Sequence, residues 1–359
     1  MPLNQDIATV LRDFAAIQRS KEKSWAYQRA AAAIDALDAP IDTLLRPDGT
    51  LRPIPNIGPS STRIIVEILT TGTSATIEAA ISGHKEPDID EAKGRRGHFL
   101  SRAQVAAALR DPKLGGPRLQ DYRGDLQMHS VYSDGKQTLR EIVDTGIARE
   151  YAYCAVTDHS YGLPIAHGLS MARLAKQHEE IDVLNREFRG RFRLLKGIEA
   201  NIGPNGSVDM TPGELQQLEI VVAAPHSGLR STADQTRRML GAVNTPGVHI
   251  LGHPRGRRYG LRPGINADWK RVFAAAAQSG VAIEIDGDPR RQDIDFHLAK
   301  SALDAGCLFA LDSDGHATRE LAFAETAIAH ARLAQIPREW VINCWPLDFL
   351  QQWTVSRNA

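Results

Sequence analysis

The amino-acid sequence predicts an α/β fold built from repeated β-α units, preceded by a small all-helical domain. The chain has 359 residues, 42% of them hydrophobic, which is enough for one large or two ordinary domains with a buried core. After Asp125, short β-like runs alternate with helix-length amphipathic stretches, as expected for β-α units. Nearly every apolar run ends in His, Asp or Glu, and in parallel barrels this end of the strands forms the functional face.

The chain divides into three segments of different composition. Residues 1–83 alternate helical patterns with turn signals and predict the all-helical domain. Residues 84–120 are charged and irregular, which indicates a linker. Residues 121–359 contain the candidate strands, which are residues 125–129, 154–157, 194–198, 220–224, 248–252, 281–285, 308–311 and 340–343.

Composition excludes several classes of protein. Basic and acidic residues both number 43, so no global field drives the chain onto nucleic acid or a membrane, and any basic site must be local. Cys154, Cys307 and Cys344 are far apart and odd in number, which excludes a dense disulfide framework and fits a reducing compartment. The first residues lack an apolar run and no stretch approaches a membrane span, so we expect a cytoplasmic monomer without a membrane partner.

The residues at the strand ends are of types that bind metal ions. Five of the twelve histidines lie there: His129, His159, His226, His253 and His316. Asp134, Glu199 and Asp314 accompany them, and imidazole with carboxylate suits zinc, manganese or iron. One histidine at a strand end is usually a hydrogen-bonded core residue, but six coincident strand ends favour a shared site, because buried carboxylates repel one another unless cations neutralise them. A multinuclear site of this kind is suited to hydrolysis of phosphate esters.

Five short motifs, taken together, are characteristic of one known family. They are Asp125-Leu126-Gln127-Met128-His129, Thr157-Asp158-His159, Gly197-Ile198-Glu199-Ala200-Asn201, Gly252-His253-Pro254 and Ser313-Asp314-Gly315-His316. As a set they resemble the polymerase and histidinol phosphatase (PHP) family, over roughly residues 121–353. Their order and the flank of His253 look like the PHP domain at the C-terminus of bacterial family X DNA polymerases.

The resemblance implies a distorted (β/α)7 barrel, similar to a TIM barrel, with two to three divalent metal ions. The implied ligand sets are Gln127, His129, Glu199 and Asp314 for one ion, Glu199, His226 and His253 for a second, and Asp134, His159 and His316 for a third. The implied catalytic residues are Glu199, His226 and His253. Gln127 and Asp134 stand where histidines are usual; the aspartate is a competent ligand, whereas the glutamine is a weak neutral one, which leaves occupancy of the first position open.

Residues 54–61 resemble the hairpin of a helix-hairpin-helix element, which offers backbone N–H groups to a DNA phosphate. The candidate DNA-binding residues are Asn56, Gly58 and Ser60, and Asn56 replaces the usual glycine because asparagine tolerates positive φ. An ordinary turn between two core helices is the alternative.

Residues 25–31 with this hairpin are similar to the N-terminal domain of family X polymerases. The helix after the hairpin lacks the Schiff-base lysine of lyase-active relatives, so we predict no lyase activity.

The loop after His253 is a second candidate DNA contact. Its arginines are Arg255, Arg257, Arg258 and Arg262, with no acidic residue among them, and Arg290 and Arg291 follow another strand. Guanidinium groups beside a strand-end site suit nucleic-acid phosphates, although a solvated basic loop is the alternative. Between the two segments that resemble family X polymerases, such a polymerase would carry a palm domain with an Asp-x-Asp pair, and this chain offers only the linker. Asp88-Ile89-Asp90 has the letters of its Asp-x-Asp pair, but no strand precedes it.

These observations predict a metal-dependent phosphoesterase that acts on DNA ends or abasic sites by attack of a metal hydroxide on phosphorus. By analogy it would be a 3′–5′ exonuclease, 3′-phosphatase or endonuclease in DNA repair. A small-molecule phosphatase of the histidinol-phosphatase type is one alternative. A non-catalytic DNA-binding adaptor with structural metals is another, and Gln127 is the residue that favours it.

Overall fold

The computed structural model describes residues 3–82 and 94–357, and Asp88-Ile89-Asp90 lies outside this range. The chain forms two compact units. A helical unit comprises Met1–Asp111 and Tyr259–Leu261, and a barrel unit comprises Pro112–Arg258 and Arg262–Ala359. None of the helices in the described residues is both long enough and apolar enough to cross a bilayer.

The helical unit confirms the all-helical prediction for the start of the chain. Its helices are α1 (Leu3–Ala16), α2 (Lys21–Asp35), α3 (Pro59–Thr71), α4 (Ala75–Ser82) and α5 (Arg102–Arg110), with a 3-10 helix at Ile41–Leu44. Ser20 caps α2 by accepting a hydrogen bond from the Lys23 N–H, as serine before a helix commonly does. Ile7, Leu11 and Ile64 are fully buried and belong to one aliphatic core of this unit.

Helix α5 lies within the segment predicted as an irregular linker. Ser101 and Gln104 form a capping box, in which Ser101 Oγ accepts from the Gln104 N–H and Gln104 Oε1 accepts from the Ser101 N–H. The helix buries Ala103, Val105 and Ala108, so an apolar face stabilises it. The structure therefore differs from the irregular prediction for residues 102–110, because a charged composition obscured a complete local helix signal.

The barrel unit is built on one sheet of six parallel strands in chain order. The strands are β1 (Tyr153–Val156), β2 (Arg193–Asn201), β3 (Ile220–Ala224), β4 (Ile250–Leu251), β5 (Ala282–Asp286) and β6 (Phe309–Asp312). The helices are α6 (Leu139–Ala148), α7 (Met171–Glu187), α8 (Pro212–Leu215), α9 (Thr236–Val243), α10 (Trp269–Ser279), α11 (Phe296–Asp304), α12 (Ala324–Leu333) and α13 (Leu347–Arg357). Each of β1, β3, β5 and β6 is buried along its whole length, as expected for parallel strands covered by helices.

Residues 125–129, predicted as the first strand, are not a regular strand, but they occupy a strand position. Toward β1, the Ala155 N–H donates to Asp125 O and the Thr157 N–H donates to Met128 O, both at 2.9 Å. Toward β6, Met128 forms a bridge with Gly315, and the Leu126 N–H donates to Asp312 Oδ1 at 2.8 Å. A side chain thus replaces part of the backbone ladder, and the segment joins the first and last strands in an irregular seventh position.

Residues 340–343, also predicted as a strand, form parts of two 3-10 helices, Arg338–Trp340 and Ile342–Cys344. The Asn343 side chain makes the contacts that a strand backbone would make. Its Oδ1 accepts from the Leu311 N–H at 2.7 Å, and its Nδ2 donates to Gly124 O at 3.0 Å and to Asp312 Oδ1 at 2.8 Å. The other six predicted strands are confirmed: β3 has the predicted boundaries, and those of the other five shift by one to three residues.

Candidate metal centre

The predicted ligands lie at the C-terminal ends of the strands, where the turns that follow carry them inward. Glu199 is in the last part of β2, His226 follows β3, and His253 follows β4. His159 follows β1, and Asp314 and His316 follow β6. His129 and Asp134 come from the irregular segment and the turn behind it. Because all strands are parallel, these ends meet at one edge of the sheet.

Glu199 lies at the middle of the cluster and contacts four histidines. Its Oε1 is 3.1 Å from His226 Nε2 and 2.9 Å from His253 Nε2. Its Oε2 is 3.2 Å from both His129 Nε2 and His159 Nδ1. Each carboxylate oxygen therefore faces a different pair of imidazoles, which is the arrangement of a carboxylate that bridges two metal ions.

The remaining predicted ligands surround this carboxylate. Asp134 Oδ1 is 3.5 Å from His316 Nε2 and 3.7 Å from His159 Nε2, while Asp314 Oδ1 is 3.0 Å from His129 Nε2. Three sets of ligand atoms each lie within 4.8 Å of one another. They are His129, Asp134, His159 and His316; His159, Glu199 and His226; and His129, Glu199 and Asp314.

Several buried nitrogen and oxygen atoms of the cluster form no well-directed hydrogen bond in the described part of the chain, although Glu199 Oε2 and His159 Nδ1 lie 3.2 Å apart. They are Glu199 Oε2 and the Nδ1 atoms of His129, His159 and His253. Buried polar atoms are nearly always satisfied in folded proteins, and each exception costs free energy. Unsatisfied imidazole nitrogens around an unsatisfied carboxylate oxygen fit divalent metal ions, because such ions bind these atoms directly.

Electrostatics also favours ionised carboxylates and a neutral His159 in the cluster, whereas Asp314 and Glu199 outweigh burial and raise the pKa of His129, and Asp134 does the same for His316. Burial alone would raise the pKa of Glu199, but the neighbouring imidazoles of His159 and His226 outweigh it and hold the pKa well below its ordinary value. Burial is likewise outweighed for Asp134, whose hydrogen bond from His316 lowers its pKa to about 2. Burial lowers the pKa of His159 to about 3. The ionised carboxylates and the neutral His159 are in the protonation states that metal ligands require.

A second layer of polar residues orients the ligands. Asn201 Oδ1 is 3.1 Å from His226 Nδ1, which leaves the Nε2 of that ring to face Glu199. Asp158 accepts from both the N–H and the hydroxyl of Ser130, at 2.8 and 2.5 Å, and from Gln177 Nε2. Asp158 therefore fixes the turn that carries His129 and Asp134. Neither Asn201 nor Asp158 was singled out from the sequence, although both stand inside the quoted motifs.

The ninth predicted ligand, Gln127, is fully buried, and its amide lies against the Glu284 carboxylate. Glu284 was missed by the sequence analysis. It is an acidic residue in the interior of β5, where both neighbours are isoleucine, and this interruption of an apolar run was the available signal. Arg291, noted only as a basic residue after a strand, reaches the cluster itself, because its Nη1 is 2.9 Å from Asp314 Oδ2.

The structure corrects part of the prediction that the arginine loop binds DNA. Arg257 is 3% exposed, and its Nη1 donates to Asp295 Oδ2 at 2.9 Å. Arg255 contacts the same Asp295 oxygen at 3.3 Å and donates to Pro263 O. An acidic residue about forty positions further along the chain thus pairs with two of the four loop arginines. Arg258 is exposed, and Arg262 is half-buried with its Nε bonded to Gly256 O, so these two remain candidates.

The predicted hairpin lies at the start of α3 and is exposed. Asn56 has a φ of 67°, in the left-handed region that the sequence analysis required of it. Gly58 precedes α3, Pro59 is its first residue, and no side chain caps this end. This end of α3 is therefore left without a side-chain cap, as a phosphate-binding helix terminus requires. Asn56, Gly58 and Ser60 are all exposed.

Comparisons with known proteins agree with both units. Residues 2–74 match the helix-hairpin-helix domain family. The chain is 34% identical over 226 residues to the DNA polymerase/3′-5′ exonuclease PolX of Bacillus subtilis, a match that covers 63% of this chain and 40% of PolX. It is 28% identical over 245 residues to a probable phosphatase of Proteus mirabilis, covering 64% of this chain and 94% of that protein. The crystal structure of a Lactococcus lactis histidinol phosphate phosphatase complexed with zinc, L-histidinol and phosphate matches with a TM-score of 0.45 and 20% identity, covering 58% of this chain and 92% of that one.

The cluster of histidines and carboxylates in the barrel could hold divalent metal ions, and the names of the relatives, a 3′-5′ exonuclease and a probable phosphatase, indicate a hydrolase. These similarities support the resemblance to the PHP family, together with a helix-hairpin-helix domain at residues 2–74. The chain spans well under half the length of PolX.

Proposed function

We propose that this protein is a metal-dependent phosphoesterase that hydrolyses phosphate esters at DNA ends or abasic sites. The observation that carries the proposal is Glu199, whose two oxygens each face a pair of histidines within 3.2 Å. Two to three divalent ions would be held at the cluster. His226 and His253 would share one ion with Glu199, and Asp134, His159 and His316 would hold another.

Divalent ions at such a site supply positive charge for the phosphate oxygens and lower the pKa of bound water. The protein's own residues supply the rest. Glu199 would hold the ions together with the histidines on either side of it, and Asn201 keeps His226 in one orientation through their 3.1 Å contact. Arg291 is about one quarter exposed beside Asp314, so its guanidinium would bind a substrate phosphate oxygen next to the ligands.

The helix-hairpin-helix domain supports DNA as the substrate. Its N–H groups at the start of α3 would hold a backbone phosphate without reading sequence. The PolX relative is named as a 3′-5′ exonuclease, which makes a DNA 3′ end the first substrate to test. Residues 62–67 of α3 contain no lysine, which supports hydrolysis rather than lyase chemistry.

The test compares the hydrolysis of a 3′-recessed oligonucleotide duplex with that of a free phosphomonoester, with manganese or zinc and over a range of salt. DNA turnover should exceed phosphomonoester turnover at low salt and fall steeply as salt rises, because backbone binding releases counterions. Equal and salt-insensitive turnover of both would contradict DNA as the substrate. No turnover by metal-loaded protein would contradict the phosphoesterase proposal and favour the adaptor.

A small-molecule phosphatase is the second candidate. The Proteus mirabilis relative, which the match covers almost completely, is named as a probable phosphatase. The neutralisation of Arg255 and Arg257 by Asp295 also removes two of the cations expected for a DNA groove. Under this candidate, phosphomonoesters would be turned over faster than DNA at every salt concentration.

A further inference from the structure

Glu284 is a fully buried carboxyl group inside the barrel, in the interior of β5. It is not one of the nine predicted ligands, yet it contacts two of them. Its Oε2 accepts from the His253 backbone N–H at 2.5 Å, across 31 positions of sequence. Both of its oxygens face the end of the Gln127 amide, and the amide nitrogen lies 3.2 Å from Oε2 when the amide is turned to donate to Glu284.

The contact with Gln127 fixes the direction of that amide. With its nitrogen toward Glu284 the amide can donate to both oxygens of that carboxyl group, whereas in the opposite orientation its oxygen faces only acceptors. The side-chain carbonyl oxygen of Gln127 then makes no contact with Glu284, and it is the only atom of the amide that can bind a cation. Glutamine is a weak metal ligand, and Glu284 compensates for this by holding the Gln127 amide in one orientation. An oriented amide loses less conformational entropy when it binds an ion.

The contact with His253 fixes a strained backbone. His253 has a φ of 21°, which few residues other than glycine adopt, and its N–H would otherwise be buried without a partner. The imidazole ring of His253 places its Nε2 at 2.9 Å from Glu199 Oε1. One carboxyl group therefore holds a side chain from the first predicted ligand set and the backbone of a residue from the second.

We infer that Glu284 is a positioning residue that couples two of the metal positions, an inference that rests on the proposed metal centre. Loss of Glu284 weakens binding of both ions, whereas loss of Gln127 weakens binding of one. The chain offers matched variants for this comparison. They are Glu284→Ala, Glu284→Gln, Gln127→Leu and Asp295→Asn, the last of which alters a buried carboxylate that contacts Arg255 and Arg257 instead of a predicted ligand.

The experiment loads full-length protein with cobalt and measures the ions bound per chain, their dissociation constants and the visible absorption of each. Glu284→Ala should weaken the binding of two cobalt ions, raising each dissociation constant by about 10- to 100-fold, and shift the absorption bands of both. Gln127→Leu should weaken one ion only. Glu284→Gln retains one acceptor oxygen and should give intermediate affinities, while Asp295→Asn should bind cobalt as the unaltered protein does.

Circular dichroism of each variant separates positioning from folding. Should Glu284→Ala fail to fold, Glu284→Gln carries the test by its affinities. Unchanged affinities and bands in a folded Glu284 variant would overturn the inference, as would equal losses in Asp295→Asn. An unaltered protein that binds no cobalt at all would instead overturn the proposed metal centre.

Discussion

The two units of this chain place their functional groups in opposite ways. The helical unit buries an aliphatic core and exposes its candidate DNA contact as backbone N–H groups at the start of α3. The barrel buries its candidate site, and Glu199, His129 and Glu284 are at most 1% exposed. This difference indicates which substitutions can separate DNA binding from hydrolysis. Substitutions at the hairpin should change DNA binding alone, whereas substitutions in the barrel should also change metal binding and stability.

The largest expected effect tests the barrel side of this comparison. His226→Ala removes a predicted ligand that is 16% exposed, the most accessible of the four histidines around Glu199. We expect hydrolysis to fall by about 1,000-fold, equivalent to about 4 kcal/mol of transition-state stabilisation. Elemental analysis should show the loss of one ion. His178→Ala, on α7, is the control, and full activity in His226→Ala would remove that residue from the ligands.

The pH dependence of stability provides a second test of the barrel. Burial lowers the pKa of His249 to about 4, and its Nδ1 accepts from the Val221 N–H, so protonation breaks that bond. The folded pKa lies below the unfolded value, so this residue reduces stability as pH falls from about 6.5 to 4, by about 3 kcal/mol in all. Urea unfolding of metal-free protein should show a shallower loss over this range in His249→Asn. The same slope in both proteins would contradict the assignment.

The third prediction tests the helical side. Gly58 has an ordinary φ of −86°, and a Cβ added there meets nothing within 4 Å, so it accepts side chains without strain. Gly58→Glu should weaken DNA binding about tenfold, or about 1.4 kcal/mol, by placing an anion at the phosphate position. Gly58→Ala is the neutral control. Hydrolysis of a free phosphomonoester should not change, and a parallel loss there would break the separation between the two units.

The smallest effect concerns the helix found within the predicted linker. Ser101→Ala removes the cap of α5 and should lower the free energy of unfolding by about 1 kcal/mol, since a single cap is worth about that much. Thermal unfolding would measure it. Metal content and phosphomonoester hydrolysis should be unaffected, and a change in metal content would show that the loss extends to the barrel.

Sequence reasoning recovered the features whose signals are local. Asn56 was predicted to take positive φ and does, and His159, His226 and His253 follow predicted strands and meet at Glu199. These positions depend only on strand direction and turn chemistry. The parallel order of the strands then brings their ends together without further information.

Features that depend on distant residues were not predicted. The loop arginines were expected to face DNA, but Asp295 pairs with Arg255 and Arg257. Where the last strand was predicted, the Asn343 side chain makes hydrogen bonds to β6 in place of a strand backbone. The pattern of apolar residues in the sequence gives no sign of such a replacement. Glu284 interrupts an apolar run, but its partners lie on other strand ends, so only the fold reveals its contacts.

The irregular segment that carries His129 has a consequence for the order of assembly. Its bonds to the last strand join Leu126 to Asp312, which lie 186 positions apart. Contacts of such high sequence separation form slowly, since a long loop must close before they stabilise anything. Ring closure and completion of the ligand set are therefore the same late folding event, and a nascent chain gains its ion pocket only after its final strand has docked.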